Sequence, residues 1–294
     1  MINKDFAVFI LSHGRPDNVI TYKTLQKVNY TGKVFIVIDN EDKSAGRYFE
    51  NFGDKVIMFD KAAIAETFDE GDNFQDRRAV IYARNACFSI AKEIGVTYFL
   101  ELDDDYTYFA YGIDGGFNSQ FNVIRQNLEN IFEFMLNYYK SIPAKSIAFA
   151  QGGDFIGGPE SNGILESINR RRKCMNSFFC STERPFQFVG RINEDVNIYT
   201  WFQSLGNLFL TFPLIRLNQK VTQQSQGGMT ELYLDSGTYI KSFYTVMYQP
   251  SSVRVGMIIN QNRRLHHLIN WDCTVPCIIS EQYRKASRVT GETL

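Results

Sequence analysis

Several things are scarce in this sequence. Five cysteines among 294 residues, an odd number at irregular spacing, rule out a disulfide framework and point to reduced thiols in a cytosolic compartment. Cys273 and Cys277 are too few for a structural zinc site. No apolar run approaches the ~18 residues of a membrane span. The opening MINKDFAVFILSHGRP is interrupted by His13 and Arg15 too early to read as a secretory signal. Net charge is lacking too: 31 Lys and Arg against 32 Asp and Glu give −1, which argues against a protein that coats nucleic acid and leaves room for a local basic patch only. What is plentiful is core material, 44% hydrophobic and 15% aromatic, as in a folded globular enzyme.

The stretch TYFLELDDDY, residues 97–106, organises the rest. Thr97, Tyr98, Phe99, Leu100 and Leu102 predict a buried strand that runs from near Gly95 into Asp103, Asp104 and Asp105. In open α/β sheets the carboxyl ends of strands face the ligand crevice. Alternation along an extended segment sends Asp103 and Asp105 to one side and Asp104 to the other. Two carboxylates on one side repel unless a cation lies between them, and hard oxygen ligands favour Mg²⁺ or Mn²⁺ over a nucleotide diphosphate. A solvated acidic turn after a strand is the other reading.

The first half alternates strands and helices. Residues 6–12 predict a buried strand, followed by the turn His13, Gly14, Arg15, Pro16 and a helix opening near Asp17. Strands over 33–40 and 55–61 follow, the first ending at Asp39, and a polar loop between Asp60 and Asp76 has the length of a mobile flap. Ala83, Ala86, Cys87, Ile90 and Ile94 then mark one face of a helix, with Arg77 and Arg84 on another flank; Arg84 by itself reads as a surface cation paired with an acid such as Asp60. Strands separated by helices imply parallel order, which gathers Ser12, His13, Asp39 and the three aspartates along one sheet edge.

The second half is less regular. A helix is predicted from Asn118 to Tyr139 and a strand over 146–151, then a glycine-rich loop from Gly152. Arg170, Arg171, Arg172 and Lys173, followed by Phe178, Phe179, Phe186 and Phe188, read either as a grip on phosphates and bases or as a solvated loop before a buried strand. In GRINEDVNIYTWF, Asn193 can cap a helix with Glu194 and Asp195 in its first turn and Val196, Tyr199 and Phe202 on an apolar stripe. Further on come a helix, a loop at Pro250, a short strand, and His266 and His267 in a basic loop.

The polar turn ILSHGRP after the first strand, Asp39 ending the second, the tripeptide Ala83-Arg84-Asn85 in a helix and the acidic end Asp103 to Asp105 together resemble the GT-A glycosyltransferases. The resemblance implies an α/β fold, a GT-A-like mostly parallel sheet flanked by helices, in one domain whose residues 1–110 bind a nucleotide sugar and whose residues 111–294 bind the acceptor. It implies Asp39 at the base of the nucleotide, Asp103 by the ribose, and Asp105 with Asp103 on a Mn²⁺ or Mg²⁺ ion bridging the diphosphate. Ser12, His13, Arg15, Arg84 and Asp104 complete the implied donor site, and His266 or His267 would add a metal or phosphate contact. Asp195, with Glu194 beside it, would be the base that activates the acceptor hydroxyl. KSFYTVM, HHLINW and PCIISEQYRK are similar to the TET/JBP-associated glycosyltransferases of phages and kinetoplastids. That subgroup implies DNA containing 5-hydroxymethylcytosine or 5-hydroxymethyluracil as partner, with Arg170 to Lys173 on its backbone; a UDP-sugar donor, direct displacement with inversion, and a cytoplasmic location, the host's for a bacteriophage protein, complete the expectation. A saccharide or protein acceptor, a nucleotidyltransferase, or a catalytically silent scaffold are the alternatives.

Overall fold

The structure, a computed structural model, describes residues 4–72, 74, 76–114, 119–151, 174, 176–219, 240–259 and 263–274. Near-continuous apolar runs in the first hundred residues form four strands, β1 (Phe6–Leu11), β2 (Lys33–Asp39), β3 (Val56–Phe59) and β4 (Tyr98–Asp103). β1 is buried at every position, as a strand covered on both faces must be. Between the strands run α1 (Ile20–Lys27), α2 (Ala45–Phe52), α3 (Lys61–Ala65) and α4 (Ile81–Glu93). The second part supplies β5 (Tyr106–Ile113), β6 (Ser119–Val123), α5 (Leu128–Ser141), β7 (Ala144–Gln151), β8 (Ser177–Ser181), α6 (Glu194–Ser204) and β9 (Leu208–Gln219). α7 (Ile240–Tyr248), the hairpin β10 (Val253–Ile259) and β11 (Arg263–Ile269), and α8 (Trp271–Thr274) follow.

Nine strands form one sheet in the order β3-β2-β1-β4-β8-β7-β9-β5-β6. Pairing is parallel from β3 to β4 and between β7 and β9; only β8 and β5 run against the rest, so seven of nine strands point the same way. Alternation splits the side chains between two cores. Ile10, Ile36, Leu100 and Leu102 pack with Leu25 of α1 and Phe132 and Met135 of α5. Phe9, Phe99, Phe178 and Cys180 pack on the other face with Ile81, Ala86 and Ile90 of α4 and Val196 and Tyr199 of α6. Glu101 and Asp103, odd-numbered like Phe99, therefore point under α4 and α6.

Four local expectations are corrected. α1 starts at Ile20, after Asp17, which pairs with Arg47 instead. Residues 119–123, expected as the first turns of a long helix, pair with the open edge of β5, and Asn127 at φ 61°, outside helical geometry, separates them from α5. His266 and His267 lie in β11 opposite Gly256 and Val255 rather than in a loop. The supposed flap between Asp60 and Asp76 opens with α3, capped by Asp60 (Ala63 N donating to Oδ1 at 3.0 Å). Its later part is fastened: Gly190 N and Arg191 N donate to the carbonyls of Asp69 and Glu70 at 2.8 Å, and Arg191 Nε meets Asp72 Oδ2 at 2.6 Å.

Candidate active site at the carboxyl ends of β1, β2 and β4

β1 sits between β2 and β4, so strand order reverses there, and in open α/β sheets the carboxyl ends of the strands at such a switch point are where ligands bind. The turn after β1 fills one side of this switch point. Ser12 Oγ donates to Asp104 Oδ2 at 2.6 Å and lies 2.7 Å from the Tyr48 hydroxyl; Arg15 Nη1 reaches Asp104 Oδ1 at 3.0 Å; Gly14 N donates to Asp42 Oδ2 at 2.7 Å. Gly14 holds φ +70°, the left-handed conformation this turn requires. His13 Nδ1 lies 2.7 Å from Asp39 Oδ2, and buried Lys61 Nζ lies 3.4 Å from the same oxygen. The hydrogen bond to Asp39 raises the His13 pKa above its ordinary value. Burial works to raise Asp39, but His13 and Lys61 outweigh it and hold the carboxyl below its ordinary range. Ser12, His13, Arg15, Asp39 and Asp104 thus converge as the sequence implied.

The second cluster centres on Arg84. Its side chain is 1% exposed, which corrects the surface-cation reading. Nε donates to Glu194 Oε1 at 3.1 Å, Nη2 to Asp103 Oδ1 at 2.9 Å, and Nη1 lies 3.6 Å from Glu101 Oε2. The guanidinium also lies over the rings of Phe178 and Phe188, 5.1 and 5.9 Å from their centroids. Burial opposes its charge, yet Asp103, Glu194 and Glu101 more than compensate and keep it protonated. One cation does not satisfy three acids. Burial pushes Glu101 up to about 8, and both oxygens of that carboxyl lack a hydrogen-bond partner. Burial and the neighbouring Asp195 charge raise Glu194 as well.

The acidic turn does not follow strict alternation, because β4 ends at Asp103 and the chain reverses through Asp104 and Asp105 into β5. Thr21 fixes the reversal: its hydroxyl donates to the Asp103 carbonyl at 2.5 Å and accepts from Tyr106 N at 2.9 Å, while its own N–H donates to the Asp104 carbonyl at 3.0 Å. Three side chains then leave in three directions, Asp103 to Arg84, Asp104 to Ser12 and Arg15, and Asp105 to Gln219, whose Nε2 donates to Oδ2 at 3.1 Å. Asp105 Oδ1 is buried without a partner, and burial beside the Asp103 charge raises this carboxyl to about 7. An orphaned oxygen on an acid held beside another acid fits a divalent cation completed by diphosphate oxygens, since Mg²⁺ commonly takes one or two carboxylates plus phosphate. Among the described residues no three His, Cys, Asp or Glu side chains form a metal cluster, so His266 and His267 do not join Asp103 and Asp105 in one. Those histidines stack on each other at 4.1 Å in the hairpin packed against α7. Arg170, Arg171, Arg172, Lys173 and the glycine-rich loop from Gly152 lie outside the described residues.

Glu194 and Asp195 open α6 and are both buried. Asn193 stands before the helix at φ 62° but makes no side-chain cap; its amide donates to Thr245 Oγ1 at 2.5 Å, and Val196 N instead donates to Asp195 Oδ1 at 2.8 Å. Reading the sequence alone misses Glu101, Lys61, Asp42 and Tyr48. For Glu101 a signal exists: an acid between Leu100 and Leu102 in a buried strand, two residues from Asp103, calls for a buried cation on that face. Lys61, Asp42 and Tyr48 carry no pattern that sets them apart.

A sheet edge whose switch point gathers acids, a buried arginine and an ordered polar turn is the arrangement in which α/β enzymes place their ligands. The chain belongs to the TET-associated glycosyltransferases: the profile of that family, described as TET-Associated Glycosyltransferase, matches residues 6–228, from β1 through β9. It is therefore a glycosyltransferase, with a donor and an acceptor to bring together. Among solved structures it is similar to a mycobacterial protein (7% identity, 90% of this chain and 83% of that one, TM-score 0.42). A second is a CMP:2-keto-3-deoxy-manno-octonic acid synthetase complexed with CTP (10% identity, 84% of this chain and 99% of that one, TM-score 0.39). A search of curated proteins gives no match. No described helix is long and apolar enough to cross a membrane.

Proposed function

We propose that the protein transfers a sugar from a UDP-sugar to the hydroxymethyl group of a modified pyrimidine in DNA, with help from a divalent cation. The observation that carries this reading is Arg84, which ties Asp103 at the end of β4 to Glu194 at the start of α6, so that donor-side and acceptor-side carboxylates share one buried counter-ion. In this reading residues 1–110 bind the donor and 111–294 the acceptor. Asp39 meets the uracil ring, Asp103 lies by the ribose, and Ser12, His13, Arg15 and Asp104 shape the pocket wall. Asp105 and Asp103 hold the cation, which when bound neutralises charge developing on the leaving diphosphate.

Glu194 is engaged by Arg84, which fixes the start of α6 and with it the neighbouring Asp195. Asp195 takes the proton of the acceptor hydroxyl as its oxygen bonds to the anomeric carbon and the bond to the diphosphate oxygen breaks, a direct displacement with inversion. The deciding experiment incubates the protein with UDP-sugars, Mn²⁺ and DNA containing 5-hydroxymethylcytosine or 5-hydroxymethyluracil, then digests the DNA and weighs the nucleosides. A hexose mass on the modified pyrimidine is expected. UDP release with the sugar found on a saccharide or protein instead would remove DNA from the proposal, and pyrophosphate release from a nucleoside triphosphate would replace sugar transfer with nucleotidyl transfer.

A further inference from the structure

The start of α6 is held from two sides. On one side Arg84 takes Glu194; on the other, the turn that leads into the helix is gripped by α7. Thr245 of α7 and Asn197 of α6 are both fully buried. The Thr245 hydroxyl donates to Asn197 Oδ1 at 2.9 Å and accepts from Asn193 Nδ2 at 2.5 Å, while Asn197 Nδ2 donates to the carbonyls of Val189 and Ile192 at 3.0 and 3.1 Å. One hydroxyl is thus the shared centre of a network that also closes on two carbonyls of the turn. Gly190 allows the close approach: it holds φ +75°, and a Cβ there would meet Asn197 Nδ2 at 2.5 Å.

The residue before Thr245 repeats the grip. Tyr244 donates to Asp72, whose Oδ2 also takes Arg191 Nε at 2.6 Å, and Tyr244 packs with Ile192. An asparagine just before a helix ordinarily caps it with its own side chain. Here Asn193 stands in the left-handed region at φ 62° and its amide goes to Thr245 instead, so the direction in which α6 starts is set from α7. Asp195 lies two residues after Asn193 and two before Asn197. Residues two apart on a helix project to roughly opposite sides, so Asn197 anchors the back of the turn that carries Asp195.

We propose that Thr245 is a positioning residue for the transfer reaction: through Asn193 and Asn197 it fixes the first turn of α6 so that Asp195 is aligned to take the acceptor proton. The inference rests on the reading of Asp195 as the base. Docking α7 against α6 needs no more than apolar contact, and a valine would fill the space of a threonine. What the threonine adds is a hydroxyl that joins two side chains flanking Asp195, and its loss leaves a buried amide and a buried carbonyl without their partner. A satisfied buried network of this kind selects one arrangement of the turn over its near neighbours, which is what a base must have to meet a hydroxyl at hydrogen-bond distance.

The test is a kinetic cycle on wild type, Thr245→Val, Asp195→Asn and the double variant, with Thr245→Ser as the conservative control and turnover read on the acceptor that the nucleoside experiment identifies. Thr245→Val is expected to lower kcat roughly 10- to 10²-fold, the cost of a slightly misplaced reacting group, and to leave donor KM unchanged. Thr245→Ser keeps the hydroxyl and is expected to restore kcat. The double variant is expected to be no slower than Asp195→Asn alone, which a merely structural role would not give, because losses at independent points multiply. Hydrogen exchange should quicken over residues 193–197 in Thr245→Val and stay unchanged over β1 and β4. Where Thr245→Val does not fold, Asn193→Gly takes its place in the cycle, since glycine keeps the left-handed turn and removes only the amide. Wild-type kcat in Thr245→Val beside a collapsed Asp195→Asn overturns the inference and leaves the base standing. Losses that multiply in the double variant overturn it too, as does unchanged exchange over 193–197. Near-normal turnover in Asp195→Asn, or no sugar transfer to any acceptor, removes the base reading and this inference with it.

Discussion

Two polar clusters stand side by side on one sheet edge and are balanced differently. Beyond β1 and β2, the acids Asp39, Asp42 and Asp104 face His13, Arg15 and Lys61, so charge is matched and His13 remains 46% exposed. Beyond β4, the acids Glu101, Asp103 and Glu194 gather on one guanidinium, that of Arg84, with Asp105 two residues after Asp103 and Asp195 next to Glu194. In the first cluster Asp39 is held below its ordinary range, although burial raises Asp104. The second carries acid in excess in a place too buried for water to disperse the charge, and it responds by raising carboxyl pKa values and leaving oxygens unsatisfied. A matched cluster needs no further ion; the unmatched one is where the cation proposed above would offset the excess charge.

Removing Arg84 should break that contrast most severely. Arg84→Leu leaves three buried carboxylates facing one another, and losing one partner of a buried pair costs about 3–5 kcal/mol. Urea unfolding would register it; a variant as stable as wild type would mean the acids are solvated or already neutral. Arg84→Lys keeps the charge but not the fork that reaches three acids, so a smaller loss is expected.

Next in size is the proposed base. Asp195→Asn keeps shape and removes basicity, so turnover should fall roughly 10²- to 10⁴-fold while UDP binding survives in calorimetry. Near-normal turnover would return Asp195 to a role in starting α6.

Asp105 sharpens the comparison through its sign. Its pKa, raised from the usual carboxylate value to about 7, makes the neutral form the one the fold prefers; that stability is present at low pH and is lost as pH climbs through about 7. Asp105→Asn should therefore leave the melting temperature nearly unchanged at about pH 3, below the ordinary carboxylate value, raise it by a few degrees at pH 8, and abolish Mn²⁺-dependent UDP binding. A lower melting temperature at pH 8 would contradict the burial argument.

The smallest effect belongs to the matched side. Since His13 is raised by its bond to Asp39, its contribution is fully present below about pH 6.5, the ordinary histidine value, and fades as pH rises through the folded-state value. NMR titration of His13 should show this upward shift, and Asp39→Asn should erase it. A titration unmoved by that substitution would dissolve the pair.

The order of β1, α1, β2, β3, α4 and β4 follows from periodicity, and so does the convergence of Ser12, His13, Asp39 and the aspartates, because parallel crossovers leave their carboxyl ends on one edge. The stripe of Val196 and Tyr199 was equally legible, since packing needs only local spacing. β6 was not, for Ile124, Leu128, Ile131 and Phe132 continue at helical spacing and nothing local reveals an open edge at β5 waiting for a strand. Nor could sequence say that Arg191 fastens the segment around Asp72, 119 residues away.

What the sequence determined by itself was the alternation along β4, which puts Asp103 on the face of Phe99, and the acids that end β2 and β4. Only tertiary structure decided what meets them there. Arg84 lies 19 residues from Asp103 and 110 from Glu194, and its place between them depends on how α4 and α6 pack on the same face of the sheet. Distances of that kind are set by the burial of whole helix faces, which no local pattern of charge encodes.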